Sequence, residues 1–577
     1  MAMTWKTRRG LIIGLVIVFI VLVIWTAVKP ARLSPNSVLV INAGGEIYEQ
    51  RQPDLWSAFS DANVPVLHDF LDAIDAARTD SRIVGLVVRI APLEAGWGKL
   101  EEIRAHLLEF RESGKPSICY LGYDGIGNPE YYLATACQQV WLVPTNPVNI
   151  RGMMAEALFL RGTLDKLKVV PEFYHIAEYK TAGNQFTEKK FTPAHREEVE
   201  KLLRSVYDQY LTDASQARGM DRAKFEALVK RGPLQSGEAL ESKIVDKLGY
   251  WDQVQEFFKQ RGNDWNPVSL TRYRTFVKFL AKSGDQIAVV HATGLIASGE
   301  SEASPGSGFV MGGDSVAADI RRAREDGAIK AIVLRVDSGG GSVVASEVIR
   351  REVELAREAK PVVVSMSDVA ASGGYWISVN ANKIVADPNT ITGSIGVLIG
   401  KLNLSGLYSL LGLSTDYVAT SDNATLFWDQ QNFSPAQREY IERSIKQTYE
   451  NFTKGVSAGR KMSVEAVDKI GKGRVWSGKQ AKEIGLVDEL GGLDRAIEVA
   501  KELAHIPAKN SVHIVRFPEE KSVFQILFER ERDQLTEGRL NGAAHPLNGR
   551  TWDAVLRRIV DTMEPVQARI PYELHVR

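Results

Sequence analysis

The sequence lacks an excess of charge of either sign. Lys plus Arg and Asp plus Glu both total 71, so the formal net charge is zero. There is also no basic motif and no alternation of aromatic with basic residues, which are features that proteins use to bind nucleic acid. The composition therefore disfavours a nucleic acid partner.

Cysteine is nearly absent, with only Cys119 and Cys137 in 577 residues. Two cysteines exclude the disulfide framework on which small secreted domains depend. Cys119 falls in a predicted strand, and Cys137 falls in the helical pattern that follows it. We expect two buried free thiols here rather than a disulfide.

Long hydrophobic runs are absent except near the start of the chain. Residues 11–28 contain no charge over 18 residues, which is about 27 Å as a helix and enough to span a bilayer core. No small-x-small cleavage site follows, because Trp25 occupies a position that needs a small residue. Basic residues before the run slightly outnumber those after it. We expect a transmembrane anchor over residues 10–29, with residues 1–9 in the cytoplasm and the body outside it.

The rest of the chain, which is too long for one core, repeats itself. Four blocks recur in the same order after 242 to 246 residues, among them "IVGLVVRI" from Ile83 as "IKAIVLRV" from Ile329, and "FTPAHREEVEKLL" from Phe191 as "FSPAQREYIERSI" from Phe433. The constant order and slowly drifting offset indicate a duplicated domain of about 240 residues rather than a short-period solenoid. We assign residues 30–259 to the first repeat, 260–285 to a linker, 286–505 to the second repeat and 506–577 to a tail.

Each repeat alternates apolar runs of strand length with amphipathic helical stretches. In the second repeat, "QIAVVHA", "IKAIVLRV" and "PVVVSM" are separated by the helical patterns "GDSVAADIRRARED" and "SEVIRREVELAREA". Continuous Val/Ile runs between helices indicate βαβ units with a buried, largely parallel sheet. The predicted fold class is therefore α/β, with two tandem βαβ repeats.

The two repeats differ where catalytic residues would be expected. When the repeats are aligned with each other, "AASGGYW" around Ser372 corresponds to "GIGNPEYY", and Asn128 corresponds to the serine. The glycine cluster in "RVDSGGGSVVASE" faces "RIAPLEAGWGKLEE", which lacks it. Conversely, Lys180 in "HIAEYKTAGNQF" lies opposite Asp422 of the second repeat. One repeat has the serine and the other has the lysine, which suggests one active site assembled from both.

A serine among small residues is either a tight strand-to-helix turn or a nucleophile on an exposed turn, as in the G-x-S-x-G elbow. Serine needs a base, and a lysine can serve if burial lowers its pKa toward neutrality. None of the nine histidines stands in an obvious motif, and we interpret His291 as an ordinary strand-end residue. The glycine loop could supply oxyanion donors or form a tight turn or phosphate loop, but "DSGGGSVV" matches neither common nucleotide-binding motif.

These residues resemble those of the signal peptide peptidase A family, in its long membrane-anchored bacterial form. The resemblance covers the anchor, both repeats, "DSGGGSVVASEVIR", "DVAASGGYW", "TGSIGV" and "EYKTA", or roughly residues 5–505. It implies a Clp-protease or crotonase-like fold and a serine–lysine dyad, with Ser372 as nucleophile and Lys180 as general base. Ser394 would orient the lysine by a hydrogen bond. By position, the oxyanion donors would be Gly340, Gly341 and Gly373.

The resemblance also implies a substrate and a setting. The family degrades signal peptides left in the membrane after their precursors are cut, and its members assemble as tetrameric domes. We therefore expect cleaved signal peptides and other apolar extended peptides as substrates, and a homotetramer. We also expect a body that faces the periplasm from the bacterial inner membrane. No metal or organic cofactor is implied.

The glycine loop departs from the family pattern S-P-G-G-S, because Gly339 replaces the proline and gives up its stiffness. Asp337 also stands where the family often has asparagine. One alternative function is a crotonase-like enzyme that binds an acyl thioester, in which the anchor and the paired serine and lysine would have no role. The other is a catalytically weak or inactive peptidase-like membrane scaffold, for which the missing proline is the only support.

Overall fold

The computed structural model describes residues 33–51, 66–261, 265–280, 284–304, 308–519 and 567–569. The predicted anchor and the cytoplasmic segment before it lie outside the described residues, as does most of the tail after residue 519. Within the described ranges, no helix is both long enough and apolar enough to cross a membrane.

The first repeat forms a parallel sheet flanked by helices. Its elements, together with those of the segment that follows it, are β1 (Ser37–Glu46), α1 (Leu67–Thr79), β2 (Ile83–Glu94), α2 (Trp97–Glu112), β3 (Ser117–Leu121), α3 (Asn128–Ala134), β4 (Gln139–Leu142), α4 (Arg161–Lys166), β5 (Val170–His175), α5 (Asn184–Thr187), α6 (Pro193–Ala217), α7 (Arg222–Arg231), α8 (Ser236–Glu241), β6 (Lys247–Leu248), α9 (Trp251–Lys259), β7 (Pro267–Ser269) and α10 (Leu270–Leu280). The strand order is β6-β4-β3-β2-β1-β7. β7 and α10 lie within the predicted linker, and β7 extends the sheet at its edge.

The second repeat has the same architecture. Its elements and those of the tail are β8 (Asp285–Thr293), β9 (Leu295–Ala297), β10 (Glu302–Ser304), β11 (Gly308–Gly312), α11 (Gly313–Glu325), β12 (Ile329–Ser338), β13 (Gly340–Ser342), α12 (Val343–Ala359), β14 (Val362–Ala371), α13 (Gly373–Trp376), β15 (Lys383–Ala386), β16 (Ile391–Gly393), β17 (Leu398–Asn403), α14 (Ser405–Leu410), α15 (Pro435–Arg460), α16 (Val464–Ile470), β18 (Val475–Ser477), α17 (Gly478–Glu483), β19 (Glu489–Leu490), α18 (Leu493–Leu503), β20 (Val512–Phe517) and β21 (Gln567–Arg569). Parallel strands β19, β15, β14, β12, β8 and β20 lie side by side in that order. This order matches the first sheet strand for strand, so the predicted α/β class is confirmed.

The continuous apolar runs of these strands arise because both faces of the sheet are covered. On β8, Ala288, Val290 and Ala292 pack in one apolar cluster, whereas Ile287 and Val289 pack in another. Alternate residues of a strand face opposite sides of the sheet. An unbroken run therefore fills both interiors, as expected for a buried parallel sheet.

A third, mixed sheet joins the two repeats. Its strand order is β10-β11-β9-β13-β21-β17-β5. β5 of the first repeat runs antiparallel to β17 of the second, with Val170 opposite Asn403 and His175 opposite Leu398. This pairing brings the segment after β5, which contains Lys180, against the second repeat.

The repeated "F-T/S-P" block is the start of a long helix. Thr192 accepts a hydrogen bond from the His195 N–H before α6, and Ser434 accepts one from the Gln437 N–H before α15. In each case a proline follows at the first helical position, where its missing N–H costs nothing. The block recurs because both repeats begin a helix of 25 or 26 residues there.

A buried ion-pair cluster crosses the boundary between the repeats. Arg335 of β12 is fully buried, and its Nη2 lies 2.8 Å from Glu49 Oε1 of the first repeat. The same guanidinium pairs with Glu102 of α2 and donates to Ser365 Oγ at 2.9 Å. The second repeat thus supplies the cation and the first supplies both carboxylates.

A histidine forms a second charged contact at this boundary. His106 Nδ1 lies 2.7 Å from Asp75 Oδ1, and its Nε2 lies 3.2 Å from Asp494 Oδ2 of the second repeat. Burial alone would lower the pKa of His106, but the two carboxylates raise it to about 9. His106 therefore carries a positive charge at neutral pH and ties α2 to α18.

The two cysteines form a disulfide, so the expectation of two free thiols is wrong. Cys119 lies on β3 and Cys137 lies just after α3, with their Cα atoms 5.6 Å apart and both side chains buried. That Cα separation is within the range that a disulfide needs. This separation could not be predicted from the sequence, because it depends on the turn that joins β3 to α3.

Candidate active site

Ser372 lies at the turn where β14 ends and the four-residue helix α13 begins. Its φ is 56° and its ψ is −113°, a conformation that residues other than glycine rarely adopt. The Ser372 N–H donates a hydrogen bond of 2.8 Å to the Gly393 carbonyl, which holds the turn. Ala370 and Ala371 before it are small and fully buried. A strained strand-to-helix turn of this kind is typical of a nucleophilic serine.

Lys180 of the first repeat reaches this turn across the boundary. Its Nζ lies 2.7 Å from Ser372 Oγ, 3.0 Å from Ser394 Oγ and 3.3 Å from the Ser394 carbonyl oxygen. All three residues are fully buried. The structure therefore brings together the three residues that the sequence suggested as nucleophile, base and orienting residue.

Two glycines pack against the lysine. A methyl group on Gly396 would lie 3.2 Å from Lys180 Cδ, and one on Gly473 would lie only 2.5 Å from Lys180 Cβ. Gly473 also has a φ of 83°, where any side chain is strained. Glycine at both positions therefore lets the second repeat close directly on the lysine.

The buried amine loses its proton near neutral pH. Burial lowers the pKa of Lys180 to about 7, and the nearby Glu198 carboxyl only partly opposes this. A neutral amine has two N–H donors and one lone pair. Because the Ser394 carbonyl can only accept, it takes one N–H, and Ser394 Oγ can take the other. The lone pair is then available to the Ser372 hydroxyl hydrogen.

The glycine segments predicted to bind the oxyanion lie against each other. A methyl group on Gly373 would be 3.0 Å from Gly340 Cα and 3.1 Å from the Gly341 nitrogen. Gly340 and Gly341 have φ values of 98° and 156°, which favour glycine. The Gly340 N–H donates to Ser338 Oγ at 3.1 Å. The Gly373 N–H opens a helix and therefore has no partner within it.

A family model matches both repeats. The model of peptidase family S49 matches residues 109–263 and again residues 354–507, which together are more than half of the chain. The chain belongs to peptidase family S49. The two matches also confirm the predicted tandem organisation of this S49 peptidase.

Relatives of this S49 peptidase are similar over most of their length. It is 34% identical to the chloroplastic serine protease SPPA of Arabidopsis thaliana over 494 residues, which cover 84% of this chain and 72% of that one. It is 35% identical to Protease 4 of Salmonella typhi over 562 residues, 91% of this chain and 89% of that one. It is 32% identical to Protease 4 of Haemophilus influenzae over 504 residues, 83% and 80% of the two chains. The predicted enzyme class, serine protease, is confirmed.

The duplicated counterparts of the serine and lysine lie in other surroundings in this S49 peptidase. Asn128 is buried at the start of α3, where its Oδ1 accepts a hydrogen bond from the Arg151 N–H at 3.1 Å. Asp422 is exposed in a short 3₁₀ helix.

His291 is buried on β8, and burial lowers its pKa to about 4. Within the described ranges, His291 makes no hydrogen bond to Ser372.

Several residues around the site were missed by sequence reasoning. Gly396 and Gly473 gave no signal, because isolated glycines in loops are common. Glu198 was also missed; its Oε1 accepts a hydrogen bond of 2.7 Å from the Val475 N–H, and burial raises its pKa to about 8. The repeated helix block has Tyr440 at the equivalent position. This difference between the two repeats, a glutamate in one and a tyrosine in the other, was the signal by which Glu198 could have been found.

A strand from the tail lies beside the glycine loop. β21 runs antiparallel to β13, with Ala568 opposite Gly341, and it also pairs with β17 at Leu398. The position between β13 and β17 thus holds an extended segment through backbone groups on both sides. A peptide in the same position would run past the glycine pair that adjoins Ser372.

Proposed function

We propose that this chain is a membrane-anchored serine endopeptidase that degrades signal peptides left in the membrane after precursor cleavage. In this proposal, Ser372 and Lys180 form a catalytic dyad assembled from the two repeats. The supporting observation is the distance of 2.7 Å between Lys180 Nζ and Ser372 Oγ in a fully buried setting. Serine needs a base to become a good nucleophile. Among the described residues, no other titratable side chain is hydrogen-bonded to Ser372.

The reaction uses the neutral lysine. Ser372 Oγ attacks the carbonyl carbon of the scissile peptide bond, and its proton passes to the Lys180 amine. The resulting ammonium gives that proton to the leaving amine, and the acyl group stays on Ser372. A water molecule then attacks the acyl-enzyme while Lys180 takes its proton, which returns to Ser372 as the acid product leaves. Ser394 keeps the amine aimed at the serine through its contacts of 3.0 and 3.3 Å.

Backbone donors stabilise the charge that develops on the carbonyl oxygen. The proposed donors are the Gly373 N–H and the adjacent backbone N–H of Gly341, whereas the Gly340 N–H, also expected from its position, already donates to Ser338 Oγ. Loss of one such donor typically costs about 10²–10³ in kcat. Because these donors are backbone groups, the stabilisation that they give to the oxyanion depends on the geometry of the glycine loop and of the turn at Ser372.

An extended peptide suits this arrangement. The position between β13 and β17 binds a strand through its backbone, whatever its side chains. The uncharged run of residues 11–28 would hold the enzyme at the membrane that contains such peptides.

The proposed location is the bacterial inner membrane, with a single span and with the catalytic body in the periplasm. The disulfide between Cys119 and Cys137 supports this side of the membrane, since disulfides persist in oxidising compartments.

The proposed assembly is a homotetramer, and the proposed fold of each repeat is of the Clp-protease and crotonase type. Exposed apolar side chains in and after α14 support an assembly, because monomers rarely expose large apolar patches. These side chains are Leu410, Leu411, Leu413, Tyr417 and Val418.

The test is hydrolysis of a synthetic signal peptide by the full-length chain in detergent. Ser372→Ala should abolish turnover without unfolding the protein, because the change removes a single hydroxyl group from a turn. Ser378→Ala, which removes another buried serine hydroxyl six residues further on, is the matched control and should keep most of the activity. If Ser372→Ala keeps even about a tenth of the wild-type rate at equal fold content, the nucleophile assignment is wrong.

A further inference from the structure

One ammonium group of the first repeat holds two carboxylates of the second. Lys99 Nζ lies 2.7 Å from Asp337 Oδ2 and 2.6 Å from Asp368 Oδ2, and all three side chains are largely buried. Asp337 lies three residues before Gly340, and Asp368 lies four residues before Ser372. The two carboxylates therefore stand where the glycine loop and the serine turn leave the sheet.

The ladder between β12 and β14 is irregular at this point. After Val336, β14 contributes two more residues than β12 before pairing resumes. Asp337 Oδ1 accepts a hydrogen bond of 3.2 Å from the Val369 N–H of β14. A side chain thus replaces part of the backbone pairing, as is common where a strand bulges beside a functional site.

The helix that carries Lys99 begins against the same carboxylate. Asp368 accepts hydrogen bonds from the Gly96 N–H at 3.1 Å and from the Lys99 N–H at 2.9 Å. A methyl group on Gly98 would lie 2.9 Å from the Ser367 carbonyl oxygen. The start of α2 is therefore in close contact with β14, and this contact fixes Lys99 relative to the strand that ends at the nucleophile.

The glycine loop has little stiffness of its own. Gly339–Gly341 are three consecutive glycines, which sample more backbone conformations than other residues. The loop is held at its start by Ser338, whose hydroxyl donates to the Gly294 carbonyl at 2.6 Å and accepts from the Gly340 N–H. The residue before Ser338 is Asp337, which is held by its contacts with Lys99 and with the Val369 N–H.

We propose that Lys99 is a positioning residue for peptide hydrolysis, because its ammonium ties Asp337 to Asp368 and so fixes the glycine loop relative to Ser372. The proposal rests on the proposed role of Ser372 as nucleophile. Without the ammonium, two buried carboxylates of like charge face each other, and their close approach is disfavoured. The ends of β12 and β14 then move apart, and the oxyanion donors no longer lie at the distance from Ser372 that the reaction needs.

The test compares two inhibitors of the full-length enzyme and of Lys99→Met. A peptide aldehyde forms a tetrahedral adduct with the serine and needs the oxyanion donors, whereas the corresponding peptide amide needs only the peptide-binding strands. In Lys99→Met, the Ki of the aldehyde should rise about tenfold or more, and the Ki of the amide should change less than about threefold. The kcat for an activated peptide ester should fall to a similar extent as the aldehyde affinity, at nearly constant KM.

The matched control is Lys230→Met, which removes an exposed lysine paired with Glu226 and should change none of these values. If Lys99→Met does not fold, Lys99→Gln serves in the same comparison, because its amide can still donate to one carboxylate but does not neutralise the pair. Equal loss of affinity for both inhibitors, or an unchanged aldehyde Ki, in the folded variant overturns the proposal. The aldehyde and ester report on the serine whatever the natural substrate, so failure to cleave signal peptides would count against the proposed substrate alone.

Discussion

A lysine accepts the serine proton only in its neutral form, so the rate of hydrolysis should follow the ionisation of Lys180. With a pKa of about 7, the neutral fraction rises from about one tenth at pH 6 to about nine tenths at pH 8. We therefore expect kcat/KM to increase about tenfold between these pH values, along a single limb. An unperturbed lysine would place that limb near pH 10.5. The assay uses a peptide without titratable groups at constant ionic strength.

Variants of the lysine decide whether it is the titrating group. Lys180→Met keeps the apolar stem and should lose about 10²–10⁴ in kcat while folding normally. Lys180→Arg should be equally inactive, because a guanidinium does not release its proton in this range. Lys230→Met, an exposed control, should keep the wild-type limb. Appreciable activity in Lys180→Met, or a limb that disappears in His291→Gln instead, would refute the assignment.

The same ionisation makes the stability of the protein depend on pH. The unfolded chain holds this proton up to about pH 10.5, whereas the folded protein releases it near pH 7. Between these values the unfolded state binds more protons, so the folded state gains up to about 1.4 kcal/mol per pH unit. Relative to Lys180→Met, the wild type should therefore gain about 2 kcal/mol between pH 7 and pH 9. Melting temperatures of both proteins measure this gain, and a constant difference would show that the folded amine keeps its proton.

Three further changes test other parts of the structure. Gly473→Ala should lower kcat by about tenfold or more, because the new methyl group would displace the proposed base. Gly485→Ala, at the same φ of 83° but with its nearest neighbouring atom 3.9 Å away, is the control, and equal rates in the two variants would contradict this. The ion pairs of His106 should stabilise the fold near pH 7, where Asp494, whose pKa burial raises to about 6, is ionised, and this stability should be lost as the pH rises through about 9. A difference in melting temperature between wild type and His106→Gln that does not shrink from pH 7 to pH 10 would show that this reasoning is wrong. Replacing Cys119 and Cys137 by alanine should lower the free energy of unfolding by about 3 kcal/mol, because the disulfide closes a loop across 18 residues. An unchanged denaturant midpoint would exclude that contribution.

The duplication is what made the site predictable from one sequence. Because the two copies could be compared with each other, complementary loss pointed to Ser372 and Lys180, and the structure brings these residues to 2.7 Å. The strands were predictable for a local reason, since Val/Ile runs buried on both faces, such as β8, have no helical period.

Other features depend on geometry between distant parts of the chain. The disulfide between Cys119 and Cys137 depends on the turn after β3. The third sheet depends on "VPEFYH" of β5 pairing with β17, although that segment lacks a regular alternation of apolar and polar residues. Gly473 matters only because Lys180, far away in sequence, packs on it. Propensity and periodicity are local signals and cannot report such contacts.

The buried arginine at the boundary bears on how the two copies evolved. Arg335 and Arg89 occupy equivalent positions in the repeats, yet Arg89 lies 4.5 Å from the ring centroid of Trp251, whereas Arg335 is buried between Glu49 and Glu102 of the other copy. Loss of Arg335 from the second repeat would leave both carboxylates buried without their cation, and loss of Glu49 and Glu102 from the first would leave the cation buried without carboxylates. Either mismatch would cost several kcal/mol. The two copies have therefore become dependent on each other, because each encodes charges that the other neutralises.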